Sequence, residues 1–251
     1  MSVSVVMIVK NGAATLAQCL ESLRMFSDVV VYDNGSTDGT REIARAFANV
    51  RQIEGEFDGF GTTKNRAAAY AAHDWVLSLD CDEVLSDAIV EEIAALALDT
   101  QKVYSLLRKN FYKTTEIRHC WGADEIVRLY HRGTTRYSDK RVHEHVLTDG
   151  LEKEKLKNSF SHYPYQSISE FVQKADRYST LFATDNAGKR SSSPAKAFFN
   201  GLYSFFRTYV LKRGFLDGYA GLVIAFSHMV TNFYKYIKLY ELNREQKGDH
   251  G

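Results

Sequence analysis

Cysteine and proline are scarce in this chain, with three cysteines and two prolines in 251 residues. Cys19, Cys81 and Cys120 form an odd set without Cys-x-x-Cys spacing, which fits neither a disulfide framework nor a zinc site and suits a reducing, cytosolic compartment. Neither sign of charge prevails: 32 basic residues stand against 31 acidic ones, a net charge of +1 that argues for no nucleic-acid partner. A long apolar run is also missing. The stretch "YAGLVIAFSHMVTNFYKYIKLY" is interrupted by His228, Thr231, Asn232 and Lys235, so it is not read as a membrane span. The opening "MSVSVVMIVKN" has no basic segment and too short an apolar run for export, and reads as a buried strand. "KNGAATL" is not the Gly-rich basic loop that a sugar-nucleotide-forming nucleotidyltransferase needs after its first strand.

What is present is an alternation of strands and helices. Val3 to Val9 is a β-branched run, followed by Leu16, Cys19, Leu20 and Leu23 at helical spacing. Val29 to Tyr32 repeats the strand, and "REIARAFA" the helix. Thr62 is expected to cap "TKNRAAAYAA", "WVLSL" is another buried strand, and Ser86 is expected to cap "DAIVEEIAALAL". The pattern predicts a mainly parallel sheet covered on both faces, which binds ligands at the carboxyl ends of its strands. From Val103 to Tyr163 shorter β-like pieces follow, "KVYSLLRKNFY", "EIVRLYHR" and "RVHEHVLT" among them. After Ser167, which stands in capping-box spacing with Glu170, the chain reads as helical. The expected division is a catalytic domain over 1–165 and a helical extension over 166–251, with "KRSSSPAK" a loop within the latter.

The tip of the "WVLSL" strand carries Asp80, Asp82 and Glu83 within four positions. Such like charges need a cation or hydrogen-bond donors, and a hard divalent ion shared with substrate phosphates is one solution. Alternation in an extended segment predicts that Asp80 and Asp82 share a side, with Cys81 turned away. A solvated acidic turn is the alternative. Asp33 begins "DNGSTDGT" at the end of the second strand, placed either to accept hydrogen bonds from a base or ribose or to shape a turn.

In combination, "VSVVMIVKN", "VVVYDNGSTDGT" and "VLSLDCDE" resemble the family 2 glycosyltransferases of the GT-A fold. "GFGTTKNRAAAYAAHDWVLSLDCDE", "VHEHV", "SHYPY" and "KRGFLDGYAGL" are similar, more narrowly, to the bacterial lipopolysaccharide-core β-glucosyltransferases that add glucose to an inner-core heptose. Asn34 departs from the pattern, standing where many members have a second acid.

The resemblance implies an α/β GT-A fold, a UDP-sugar donor with UDP-glucose favoured, and a divalent cofactor, Mg2+ or Mn2+. It implies a lipopolysaccharide-core or lipid-linked glycan acceptor. It assigns Asp82, Asp80 and the late His162 to the metal, with Asp82 as the main ligand. Lys10, Asn11, Asp33, Lys64, Asn65, Asp80 and Arg128 become contacts to the nucleotide sugar. Glu144 matches the base of inverting transfer, with Asp124 and Asp139 as weaker candidates. "DCDEV" also fits the nucleophile motif of dehalogenase-like phosphatases, whose downstream acidic pair is not found here, and a non-catalytic nucleotide-sugar-binding protein is a further alternative.

Arg128, Arg132, Arg136, Lys140 and Arg141 against Asp139 predict an electropositive rim for an anionic acceptor. Lys189, Arg190, Lys196, Arg207, Lys212 and Arg213, with no acid between Asp185 and Asp217, interleave with aromatic residues. That composition predicts either a segment lying on an anionic membrane surface, at the inner face of the bacterial inner membrane, or a helical lid.

Overall fold

The computed structural model describes residues 2–139 and 144–246. Its first strands form where the sequence is richest in β-branched residues. Strands β1 (Val3–Val9), β2 (Val29–Asp33), β3 (Val50–Glu54) and β4 (Trp75–Ser78) pair in parallel in the order β3-β2-β1-β4. Helices α1 (Ala13–Glu21), α2 (Thr40–Arg45) and α3 (Phe60–Ala68) connect them. β1 is buried on both faces and its side chains divide with period two. Val5, Met7 and Val9 pack with Leu16, Leu20 and Ile89, whereas Val6 packs with Val30, Val76 and Ala67.

The remaining strands extend the sheet and make it mixed. They are β5 (Glu83–Leu85), β6 (Lys102–Tyr112), β7 (Thr115–Glu116), β8 (Ala123–His131) and β9 (Glu152–Tyr165), with α4 (Asp87–Ala95) between β5 and β6. β8 joins antiparallel to β4, and the order continues β8-β6-β9-β5. The segment expected as a strand at "RVHEHVLT" contributes a single described bridge, Tyr137 to Val146, and residues 140–143 lie outside the described residues.

Ser86 caps α4 as expected, its hydroxyl accepting from the Ile89 N–H. Thr62 does not cap α3. That helix starts at Phe60 behind Gly59, whose φ of 97° turns the chain into the helix without a side-chain cap. Gly61 then lets α3 approach its neighbour, since a Cβ there would stand 1.9 Å from the Ser138 carbonyl oxygen.

Contacts divide the chain into two compact units, residues 1–109 with 123–163 and residues 110–122 with 164–251. In the second unit, α5 (Ile168–Asn186) is capped by Ser167, and Glu170 reaches back to the Gln166 N–H at 2.8 Å. Helices α6 (Pro194–Phe206) and α7 (Gly218–Gln246) follow, joined by a π-turn over Arg207–Leu211 and a 3-10 turn over Gly214–Asp217. The excursion at 110–122 is pinned within this unit by Asp217, whose carboxylate accepts from the N–H groups of Arg118, His119 and Cys120.

Candidate active site

At the carboxyl end of β4 the chain turns back on itself. The Glu83 N–H donates to the Asp80 carbonyl at 3.0 Å, and the Asp80 N–H donates to the Glu83 carboxylate at 3.0 Å. Asp80 and Asp82 therefore do not share a side as an extended segment would require. Asp80 faces two cations: Lys64 Nζ lies 3.0 Å from Oδ1 and Arg128 Nη2 lies 2.8 Å from Oδ2. Asp82 faces His162, with Nε2 3.5 Å from Oδ2. The β5–β9 pairing, which sets His162 opposite Glu83, and the Tyr163 N–H bond to the Asp82 carbonyl hold that arrangement.

Glu83 is the residue sequence reasoning left out of the site. Its side chain has no exposed surface, and it accepts from Arg128 and, at 3.5 Å, from Arg108, which also pairs with Asp124 at 2.7 Å. Burial pushes the Glu83 carboxyl up, against the pull of Arg128. At Asp80 burial acts the same way, but the charges of Lys64 and Arg128 reverse it and hold the carboxyl well below the usual carboxylate range. Lys64 is 5% exposed, and burial works against its charge. Asp80, Tyr137 and Glu144 outweigh that and raise its pKa. Burial likewise opposes the charge on Arg128, and Glu83 and Asp80 raise it. The signal for Glu83 was available in "DCDE"; the signal for Arg108, 28 positions beyond Asp80 in the chain, was not.

Lys64 carries the network one step further. Its Nζ also donates to Glu144 Oε1 at 3.0 Å and sits 5.1 Å from the Tyr137 ring centroid. Lys64, Asp80, Arg108, Arg128, Tyr137 and Glu144 line one cavity of about 350 Å³, within the range of small-ligand sites. Of the two other carboxylates considered as bases, Asp124 pairs with Arg108 at the cavity wall, and exposed Asp139 pairs with Arg136 at 3.4 Å.

Several expected contacts have other partners. Asn65 spends its amide on the Tyr137 backbone, donating to the carbonyl at 2.9 Å and accepting from the N–H at 2.8 Å. Asp33 is buried and accepts from the Ser36 N–H at 2.7 Å and from Arg41 Nε at 2.9 Å. Burial raises its carboxyl, and these bonds more than offset it and lower the pKa. Asn11, at a left-handed φ of 56°, accepts from the Thr37 N–H, and Lys10 beside it is exposed. Thr40 and Asp38 accept from the N–H groups of Gly12 and Ala13, so the 33–40 loop supplies the cap that the start of α1 lacks. Of the basic residues expected to form a rim, Arg136 is exposed. Arg128 points into the network, Arg132 binds Asp74 and the carbonyls of Ala68 and Ala71, and Lys140 and Arg141 lie outside the described residues.

Among the described residues no group of three or more His, Cys, Asp or Glu side chains is gathered for a metal ion. The Asp82–His162 pair offers a carboxylate oxygen and an imidazole nitrogen, a donor set that suits a divalent cation whose other ligands come from phosphate and water.

Residues 4–153, which include all of the Lys64–Asp80–Glu83–Arg128–Glu144 network, match the family model described as Glycosyl transferase family 2. An uncharacterized glycosyltransferase of Rickettsia typhi is 28% identical over 98% of this chain and 89% of its own length. The lipopolysaccharide core biosynthesis glycosyltransferase LpsC of Rhizobium meliloti is 26% identical over 95% of this chain and 92% of its own. Among solved structures, S. aureus TarS 1-349 in complex with UDP-GlcNAc is similar with a TM-score of 0.46 at 14% identity, covering 99% of this chain and 92% of that one. With the 3-2-1-4 parallel strands and the antiparallel extension beside them, the family match over most of the first unit makes this chain a glycosyltransferase of family 2, built on the GT-A fold.

Proposed function

We propose that the chain transfers glucose from UDP-glucose to a heptose of the lipopolysaccharide inner core, with inversion, at the cytoplasmic face of a bacterial inner membrane. The observation that carries the proposal is the single cavity in which Lys64 touches both Asp80 and Glu144, at the same turn from which Asp82 meets His162. The name of the LpsC relative supports the acceptor class. Family membership removes the phosphatase reading of "DCDEV", as does the engagement of both Asp80 oxygens by cations.

In this reading Glu144 takes the proton from the acceptor hydroxyl as that oxygen bonds to the sugar's anomeric carbon, and the bond to UDP breaks with its electron pair on the diphosphate. Lys64 and Arg128 bring positive charge to the cavity in which the diphosphate develops its own charge. Asp82 and His162 would hold Mg2+ or Mn2+, which when bound neutralises the departing diphosphate. Asp80, fully occupied by Lys64 and Arg128, positions those cations rather than the metal.

The test is UDP release from a panel of nucleotide sugars with purified inner-core acceptor, with and without chelator. Turnover is expected with UDP-glucose and lost with chelator. Faster turnover with another nucleotide sugar, or with a heptose-free glycan acceptor, would replace the donor or acceptor named here. Chelator-insensitive turnover would remove the metal.

A further inference from the structure

Helices α6 and α7 are sorted inside out for a protein surface. On α6 and its continuation the buried positions are small, Ala197, Gly201 and Thr208, while Phe198, Phe199, Leu202, Tyr203 and Phe206 are exposed. On α7, Ala220, Gly221 and Ala225 are buried beside Ile224 in the first turns, with Leu239 buried further on, while Tyr219, Leu222, Phe226, Val230 and Tyr234 are exposed at intervals of three or four residues. That spacing makes one continuous apolar stripe along the helix. A Cβ at Gly201 would stand 3.1 Å from the Met229 carbonyl oxygen and 3.2 Å from Phe233 Cβ, so the two backbones cross closely there. Polar bonds tie the crossing: Asn232 donates to Ser204 Oγ at 2.9 Å, and Thr208 Oγ1 lies 3.0 Å from His228 Nδ1.

Helices that face water bury their large apolar side chains and expose polar ones. A seam of small residues with polar bonds across it and large apolar residues outside is how helices pack in lipid. No helix among the described residues is long and apolar enough to cross a membrane, so the stripe suits the surface of a bilayer. Charge identifies which surface. The acid-free interval from Asn186 to Leu216 holds six cations. Its tip exposes Lys212 and Arg213 between Val210, Leu211, Phe215 and Leu216. Asp217, the next acid, is buried with its carboxylate already bonded to backbone. A second copy of this chain on the same face would set two such acid-free basic segments together, whereas anionic lipid phosphates complement them.

We infer that the α6–α7 hairpin docks on an anionic phospholipid bilayer, its large apolar side chains entering the boundary between headgroups and acyl chains while Lys212 and Arg213 meet lipid phosphates. The inference rests on the membrane location in the proposed function and not on its donor or acceptor.

The test is flotation of the full chain with phosphatidylcholine vesicles, with and without phosphatidylglycerol, alongside UDP binding by calorimetry. The protein is expected to float with the anionic vesicles and poorly with the neutral ones. Lys212→Ala/Arg213→Ala should weaken partitioning into anionic vesicles roughly thirtyfold, from two lost phosphate contacts. Phe199→Ser/Tyr219→Ser, at positions 65% and 69% exposed, should weaken it about tenfold or more at every salt concentration without disturbing the fold. UDP affinity should be unchanged in both variants, which separates failure here from failure of the donor assignment. Absent flotation of the unmodified protein, or equal flotation of all three proteins, overturns the inference. So does a lipid-free dimer in sedimentation equilibrium that Phe199→Ser/Tyr219→Ser converts to monomer.

Discussion

Arg128→Met removes the cation that clasps Asp80 and Glu83. Arg128 is only 5% exposed and the Glu83 side chain is not exposed at all, so water cannot replace the missing partner at the Glu83 end, whereas Asp80 lines the cavity and is partly exposed. Asp80 keeps Lys64 at 3.0 Å, but Glu83 is left with Arg108 at 3.5 Å and the Asp80 N–H. Removing one partner of a buried pair costs about 3–5 kcal/mol. Methionine fills most of the arginine stem, so a value near the lower end, about 3 kcal/mol, is expected. The sharper test is a change of sign. In the unmodified protein Glu83→Gln should destabilise, because glutamine has one acceptor oxygen for donors on both sides: the Asp80 N–H and the arginines. In the Arg128→Met background the same change removes a buried carboxyl whose remaining cation stands 3.5 Å away, and should return about 1–2 kcal/mol. The assay is urea unfolding followed by Trp75 fluorescence. The chain has two tryptophans, one in each compact unit, so Trp121→Phe leaves a reporter of the first unit alone. With a slope of about 3 kcal/mol per molar urea, Arg128→Met should lower the midpoint by about 1 M. A shift below about 0.3 M, or a Glu83→Gln effect of the same sign in both backgrounds, would refute the reasoning.

Asp82→Ala should abolish metal-supported UDP binding in calorimetry while the unfolding free energy stays within about 0.5 kcal/mol of the parent, since the side chain is partly exposed. Glu144→Gln should bind UDP-sugar normally and lose turnover by about a hundredfold or more; normal turnover would place the base elsewhere. Burial, then the charges of Asp82 and Asp80, push the Cys81 thiol up to about 12. Its alkylation rate should therefore rise about tenfold per pH unit from pH 7 to 10, and a plateau near pH 9 would contradict this. Burial raises the Asp28 carboxyl, but Ser4, the Ala72 N–H and Arg51 outweigh it and hold the group below its usual range. Its ionised form stabilises the fold above the unfolded-state value near 3.9, and that contribution is lost as pH falls through the lower folded-state value. Asp28→Asn should cost about 1–2 kcal/mol at pH 7, with the gap to the parent closing below about pH 3.

The parts of the fold legible in the sequence are those set by local pattern. β1, β2 and β4 read as strands because residues buried on both faces leave unbroken apolar runs, and Ser86 and Ser167 read as caps because a cap is a property of four residues. β9 was hidden because "EKEKLKNSF" buries deeply only Leu156 and Phe160, four positions apart, so neither the strand period nor an apolar run shows. β5 is three residues long and exists through its pairing with β9.

The same distinction explains the site. That acids gather at the tip of β4 is local information; which way each one points is not. Their divergence depends on the Glu83 carboxylate closing the turn, and that buried carboxylate is met there by Arg108 and Arg128, which arrive from β6 and β8. Asp33 follows the same rule. Its position at a strand tip was legible, but Ser36 and Arg41 occupy its oxygens, which makes it the post around which the 33–40 loop is wound to cap α1. Two of the acids that the resemblance assigned to ligands thus hold other protein groups in place. The acid left facing outward from the β4 turn, toward His162, is Asp82. An acidic motif at a strand tip therefore marks the carboxyl edge of the sheet, while the direction in which each acid points is decided by the cations that distant strands deliver.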